Sequence, residues 1–168
     1  MESINPFGKQ QTSIDLKSDE IITNHLKASG VVYACASEEK ATLIKLNEEG
    51  TFVVSYDPID GNNVLDVNMS VASIFGIWKS RDIEGSTGRD LVGAACAVYG
   101  SRTSIILYNS QSKKVDELTL LEVKNQEKWV VTQPSITISQ GKANLFSPGL
   151  RSCYDIPELL DVFKKYCC

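Results

Sequence analysis

The chain has 168 residues, 42% hydrophobic and 23% charged, with a formal net charge of −4 and a pI near 5.1. That is enough apolar material for one globular domain with its own core. The acidic balance argues against a nucleic-acid or anionic-membrane binder, which needs a basic face, and no apolar run approaches the roughly 20 residues that span a bilayer.

The opening stretch MESINPFGKQQ is unlike a signal peptide, so the chain reads as soluble and intracellular. From Ser13 to Ala28, Ile14, Ile21, Ile22, His25 and Leu26 recur at helical spacing and Ser29-Gly30 closes the pattern, which predicts an amphipathic helix. Residues 31–36 and 51–56 are β-branched and aromatic and predict two strands of one sheet, with a polar connection between them. Residues 67–78 read as a further strand or pair. In STGRDLVGAACAVYG, Ser86 or Thr87 is a candidate N-cap, the body is rich in alanine and Gly100 is a stop, which predicts a helix over 88–99. Strands fit 103–109, 115–122 and 128–132, and Pro157 opens a last helix over 156–166. The five cysteines form an odd set without CxxC spacing, as expected of reduced structural thiols.

The densest chemistry lies in SYDPIDGNNVLD, residues 55–66, where three aspartates, a proline, a glycine and two asparagines share twelve positions. A surface turn would use these residue types for backbone reasons alone. The sharper reading is that a tight turn brings Asp57 and Asp60, three apart across Pro58, to the same point at the end of a strand. Glu38 and Glu39 follow the preceding strand, and Asp15 stands near the start of the first helix. If the two strands are neighbours, four carboxylates converge and repel one another unless cations sit among them. Such oxygen donors favour Mg²⁺ or Mn²⁺ over zinc. Two ions of that kind can activate a water and neutralise the leaving oxygen of a phosphate ester, and amides of a turn starting near Gly61 would face the phosphate. Against this, paired glutamates are commonly solvated loop residues, and an early-helix aspartate commonly serves the helix dipole.

YDPIDGNNVLDVNMSVASIFGIW resembles the segment of the fructose-1,6-bisphosphatase and sedoheptulose-1,7-bisphosphatase family that usually runs FDPLDGSSNID before an SVGTIFGI-like strand. NPFGKQQTSIDLKSDEIITNHL, YACASEE, STGRDLVGAACAVYGSRTS and LFSPGLRSCYDIPELLDVFKKY follow the family in the right order. YAC, Trp78 and the LFSPG segment lean toward the sedoheptulose branch. The resemblance implies an α/β layered fold, a mixed and largely antiparallel sheet flanked by helices. It implies metal ligation by Glu38, Asp57, Asp60 and the Ile59 carbonyl. Glu39 and Asp15 would hold and deprotonate the attacking water, and Gly61, Asn62 and Asn63 would face the phosphate. The implied activity is Mg²⁺-dependent (or Mn²⁺-dependent) hydrolysis of the 1-phosphate of sedoheptulose 1,7-bisphosphate in a homo-oligomer, a dimer or tetramer. The alternatives are a fructose-1,6-bisphosphatase and a non-catalytic metal- and phosphate-binding remnant.

This chain departs from the family in three ways. Asn62-Asn63 stands where Ser-Ser is usual, and Lys9 where an acidic residue is usual. The resemblance also covers only about the first half of a family member. Residues 1–168 are thus expected to be one domain that carries the metal- and phosphate-binding half without the C-terminal sugar-binding half.

Overall fold

The computed structural model describes residues 3–5, 8, 10–138 and 155–167. Lys9, Cys153 and the LFSPG segment lie outside them. The chain divides into two compact units, 1–136 and 137–168.

The first unit opens with a two-stranded antiparallel ribbon, β1 (Ser3–Ile4) and β2 (Gln10–Gln11), and continues into α1 (Ser13–Ala28). There follow β3 (Val32–Ser37), β4 (Ile44–Lys45), β5 (Phe52–Asp60), β6 (Val71–Trp78), β7 (Leu91–Tyr99), β8 (Thr103–Asn109), β9 (Lys114–Val123) and β10 (Gln126–Gln133). These eight form one sheet in the order β10-β9-β8-β7-β6-β5-β3-β4. Among the described residues its one parallel pairing is β3 with β5, so the sheet is mixed and largely antiparallel. In the second unit, α2 (Pro157–Cys167) begins on its proline, with Glu158 in its first turn and Lys164 and Lys165 in its last.

α1 starts with a capping box. The Thr12 side chain accepts a bond from the Asp15 amide, and the Asp15 carboxylate accepts one from the Thr12 amide. Gly30, at φ +72°, takes the left-handed conformation that ends the helix after Ser29. Ile22 and Leu26 pack with Ile44, Leu46, Phe75 and Ile77 on the buried cluster of Val32, Cys35, Val54 and Tyr56. Ile14 and Ile21 are exposed instead, and the two buried residues of α1 are Asp15 and Asp19. The helix therefore turns two acids, along with Ile22 and Leu26, toward the sheet.

The helix expected over 88–99 is a strand. Thr87 does act as a cap, but of a single 3-10 turn, Gly88–Asp90, which leads directly into β7. β7 lies between two partners, and the register places Gly93 opposite Ile77 and Ala95 opposite Phe75. A Cβ on Gly93 would stand 3.3 Å from Ile77 Cδ1, tighter than side chains normally tolerate. The small residues that resemble a helical body are there because β6 needs flat neighbours, and strand pairing on both sides overrides local helix propensity.

Paired residues of antiparallel strands share a face. The face that α1 covers at Val54 and Tyr56 therefore runs on through Phe75, Ala95, Leu107, Leu120, Trp129 and Val131. Toward that far end, Leu107 is 40%, Trp129 44% and Val131 52% exposed.

Candidate functional site

β3 and β5 run parallel with Ser37 beside Tyr56, so Glu38 and Glu39 leave the sheet next to the point where β5 reaches Asp57. The Glu38 amide donates to the Tyr56 carbonyl at 3.1 Å, extending that pairing by one residue. Asp57 and Asp60 meet through a different device from the tight turn expected. β5 continues to Asp60, and its register against β6 slips between Asp57, opposite Ile74, and Asp60, opposite Ala72. Residues three apart on a regular strand point to opposite faces; the extra residue of this bulge restores both carboxylates to one side. Pro58, with no amide to donate, lies at the irregularity, and its carbonyl accepts from Ser73 Oγ at 2.6 Å. The Asp57 carboxylate accepts from the Ile59 amide at 3.1 Å. Gly61 then turns the chain at φ +85° into the 3-10 helix Asn62–Val67, which no side chain caps.

Glu38, Glu39, Asp57, Ile59, Asp60, Gly61, Asn62 and Asn63 line one cleft of about 400 Å³. Asp15 stands behind it, fully buried. Its Oδ2 accepts from the Thr12 amide at 2.7 Å, from Thr12 Oγ1 at 2.8 Å and from Asn62 Nδ2 at 2.8 Å, while its Oδ1 is buried with no hydrogen-bond partner. Glu39 is held from the same side, since Gln11 Nε2 donates to its Oε2 at 2.6 Å and its carbonyl at 3.2 Å. Gln11 and Thr12, adjacent in the chain, thus hold Glu39 and Asp15.

The electrostatics are those of crowded carboxylates. Burial first, then a hydrogen bond with Glu38 and the charges of Glu38 and Asp60, push Asp57 from an ordinary 3.8 up to about 7. Among the described residues no three His, Cys, Asp or Glu side chains are arranged to ligate a metal ion as they stand. The donor set nonetheless suits a hard divalent cation, because the cleft is lined by carboxylate side chains and a cation among them would offset the repulsion that raises Asp57.

Sequence reasoning missed Gln11, Asp19, Ser37 and Lys40. The Glu39 amide donates to Ser37 Oγ at 3.2 Å, and Lys40 Nζ pairs with Asp19 at 2.6 Å. One signal was available for Asp19: it stands four residues after Asp15, on the same helix face.

Residues 2–134 match the fructose-1-6-bisphosphatase N-terminal domain family. The chain belongs to that family. It is 36% identical over 159 residues to the chloroplastic sedoheptulose-1,7-bisphosphatase of Triticum aestivum, covering 92% of this chain and 39% of that protein. It is 38% identical over 110 residues to the class 1 fructose-1,6-bisphosphatase of Campylobacter curvus, covering 66% of this chain and 36% of the relative. The holo crystal structure of Leishmania major fructose-1,6-bisphosphatase superposes with a TM-score of 0.74 at 29% identity, over 84% of this chain and 47% of that one. The chain thus spans 39% and 36% of the two relatives and 47% of the solved chain, and its α/β fold is that of the solved bisphosphatase.

Proposed function

We propose that these 168 residues form the metal- and phosphate-binding half of a sugar bisphosphatase that hydrolyses the 1-phosphate of sedoheptulose 1,7-bisphosphate to sedoheptulose 7-phosphate and phosphate. The observation that carries this reading is the meeting of Glu38, Glu39, Asp57, Ile59, Asp60 and the Gly61–Asn63 turn in one cleft, with Asp15 bonded to that turn. The wheat sedoheptulose-1,7-bisphosphatase, matched over 92% of the chain, supports the seven-carbon substrate, and a class 1 fructose-1,6-bisphosphatase is matched over 89%. Fructose 1,6-bisphosphate is the second reading, supported by the class 1 relatives.

In this reading Glu38, Asp57, Asp60 and the Ile59 carbonyl hold Mg²⁺ or Mn²⁺. The cation, when bound, supplies Lewis-acid neutralisation of charge at the phosphate. Glu39 and Asp15, as a general-base pair, would orient a water and take its proton. The water oxygen bonds to phosphorus in line as the bond from phosphorus to the C1 oxygen breaks, and that oxygen leaves with a proton. Gly61, Asn62 and Asn63 orient the phosphate. Grip on the sugar and the remote phosphate falls to the part of the relatives that this chain does not span, so the 168 residues alone turn over slowly or not at all. Self-association, to a dimer or tetramer, uses the apolar face that ends at Trp129 and Val131.

The test is phosphate release from both bisphosphates, with Mg²⁺ and with EDTA, by this chain and by any longer product of the same coding sequence. The longer product is expected to show EDTA-sensitive release that favours sedoheptulose 1,7-bisphosphate and is abolished by Glu39→Gln. EDTA-insensitive release would overturn the metal reading. Robust turnover by the 168 residues alone would overturn the division of labour.

A further inference from the structure

Asp19 lies outside the cleft, yet three residues that flank the cleft acids converge on it. Lys40, which follows Glu39, pairs with its Oδ2 at 2.6 Å. Tyr56, which precedes Asp57, donates its hydroxyl to Oδ1 at 2.8 Å. Ser37, which precedes Glu38, also bonds to its side chain. Tyr56 is further bonded to Thr23 Oγ1 at 2.8 Å, one helical turn beyond Asp19. Asp19 is 3% exposed, so these bonds stand in for its hydration. Burial alone would raise its pKa, but the hydrogen bonds from Lys40, Ser37 and Tyr56 outweigh it and hold the carboxyl below the ordinary range. Burial raises the Tyr56 hydroxyl, which stays protonated and donates.

A surface ion pair would need no such convergence. Asp15 and Asp19 occupy the same face of α1, one turn apart. The first is bonded through Asn62 to the turn that carries the proposed phosphate contacts. The second is bonded to both segments that carry the proposed metal ligands. We propose that Asp19 and Lys40 are positioning residues that fix the Glu38-Glu39 turn against β5, so that Glu38 and Asp57 face one cation. The inference rests on the metal reading proposed above.

The sign of one substitution separates positioning from simple electrostatics. Lys40→Met removes a positive charge beside an acidic cleft, so electrostatics alone would tighten a divalent cation. Loss of positioning would weaken it, by on the order of 10- to 100-fold, as removal of residues that orient metal ligands does. The experiment is calorimetric titration of Mn²⁺ into the 168-residue chain and into Lys40→Met, Lys40→Arg, the double variant Asp19→Asn with Lys40→Met, and Asp60→Asn, with a thermal melt of each. Lys40→Met is expected to bind 10- to 100-fold more weakly and Lys40→Arg close to the parent. The double variant, which leaves no unpaired buried charge, is expected to recover melting temperature without recovering affinity. It carries the same measurement if Lys40→Met does not fold. Unchanged or tighter Mn²⁺ binding by Lys40→Met, with Asp60→Asn weakened, would overturn the positioning role alone. Equal affinities of the parent and Asp60→Asn would defeat the metal reading and this inference with it.

Discussion

Asn62 Nδ2 donates to Asp15 Oδ2 at 2.8 Å across 47 residues of sequence, joining the turn after β5 to the first turn of α1. The asparagine where the family usually has serine is therefore engaged with the proposed base as well as lining the cleft. A bond to a buried carboxylate contributes about 1.5–3 kcal/mol. Asn62→Ala is expected to lower stability by that amount in urea unfolding, because Asp15 is fully buried and its other oxygen is already without a partner. An unchanged unfolding midpoint would show that this bond does not hold the turn.

Asp57 makes the metal-free protein sensitive to pH. Its folded pKa is raised from 3.8 to about 7, so between those values the folded chain keeps a proton that the unfolded chain has released. Stability is then greatest, as far as this group is concerned, below about pH 4, and it is lost progressively as pH rises toward 7. Asp57→Asn, which cannot ionise, is expected to flatten that decline and to stabilise the metal-free chain at pH 8. Denaturant midpoints across pH 4–8 provide the check, and a variant less stable than the parent at pH 8 would contradict the repulsion.

The cleft was legible in its residues but not in its geometry. DPIDG and the glutamate pair point to the acids, and the two β-rich runs read as strands of one sheet, but that β3 and β5 are neighbours was a condition of the reading that only the parallel pairing meets. The bulge that puts Asp57 and Asp60 on one side depends on register against β6, which no local pattern carries. Burial of Asp15 and Asp19 was equally hidden, because helical periodicity assigns the inward face to apolar residues, and here Ile14 and Ile21 are exposed while the acids are not. Residues 88–99 misled for a related reason: alanines chosen to fit beside Phe75 and Ile77 look like helix formers until the pairing is known.

Gly61 is placed by its backbone. At φ +85° a side chain is strained by roughly 1–2 kcal/mol, although the nearest atom to a built Cβ, Val71 Cγ1, is at an ordinary 3.6 Å. Gly61→Ala is expected to lose about that much stability through conformation rather than through a clash. A neutral result in thermal unfolding would show that the turn relaxes to another conformation.

The apolar face beyond α1 is expected to drive association. Sedimentation velocity at increasing concentration should show a dimer or larger species, and Trp129→Glu, which places a charge on the exposed end of that face, should shift it toward monomer. A parent chain that stays strictly monomeric at high concentration would contradict this.

The central claim, that the carboxyl ends of β3 and β5 build a divalent-cation site, is tested most directly by Mn²⁺ anomalous diffraction from crystals of the chain soaked in that ion. An anomalous peak within coordinating reach of Glu38, Asp57 and Asp60 is the expected result, and it should vanish in Asp60→Asn. Peaks only at other surface carboxylates, with the cleft holding water alone at a saturating Mn²⁺ concentration, would contradict it.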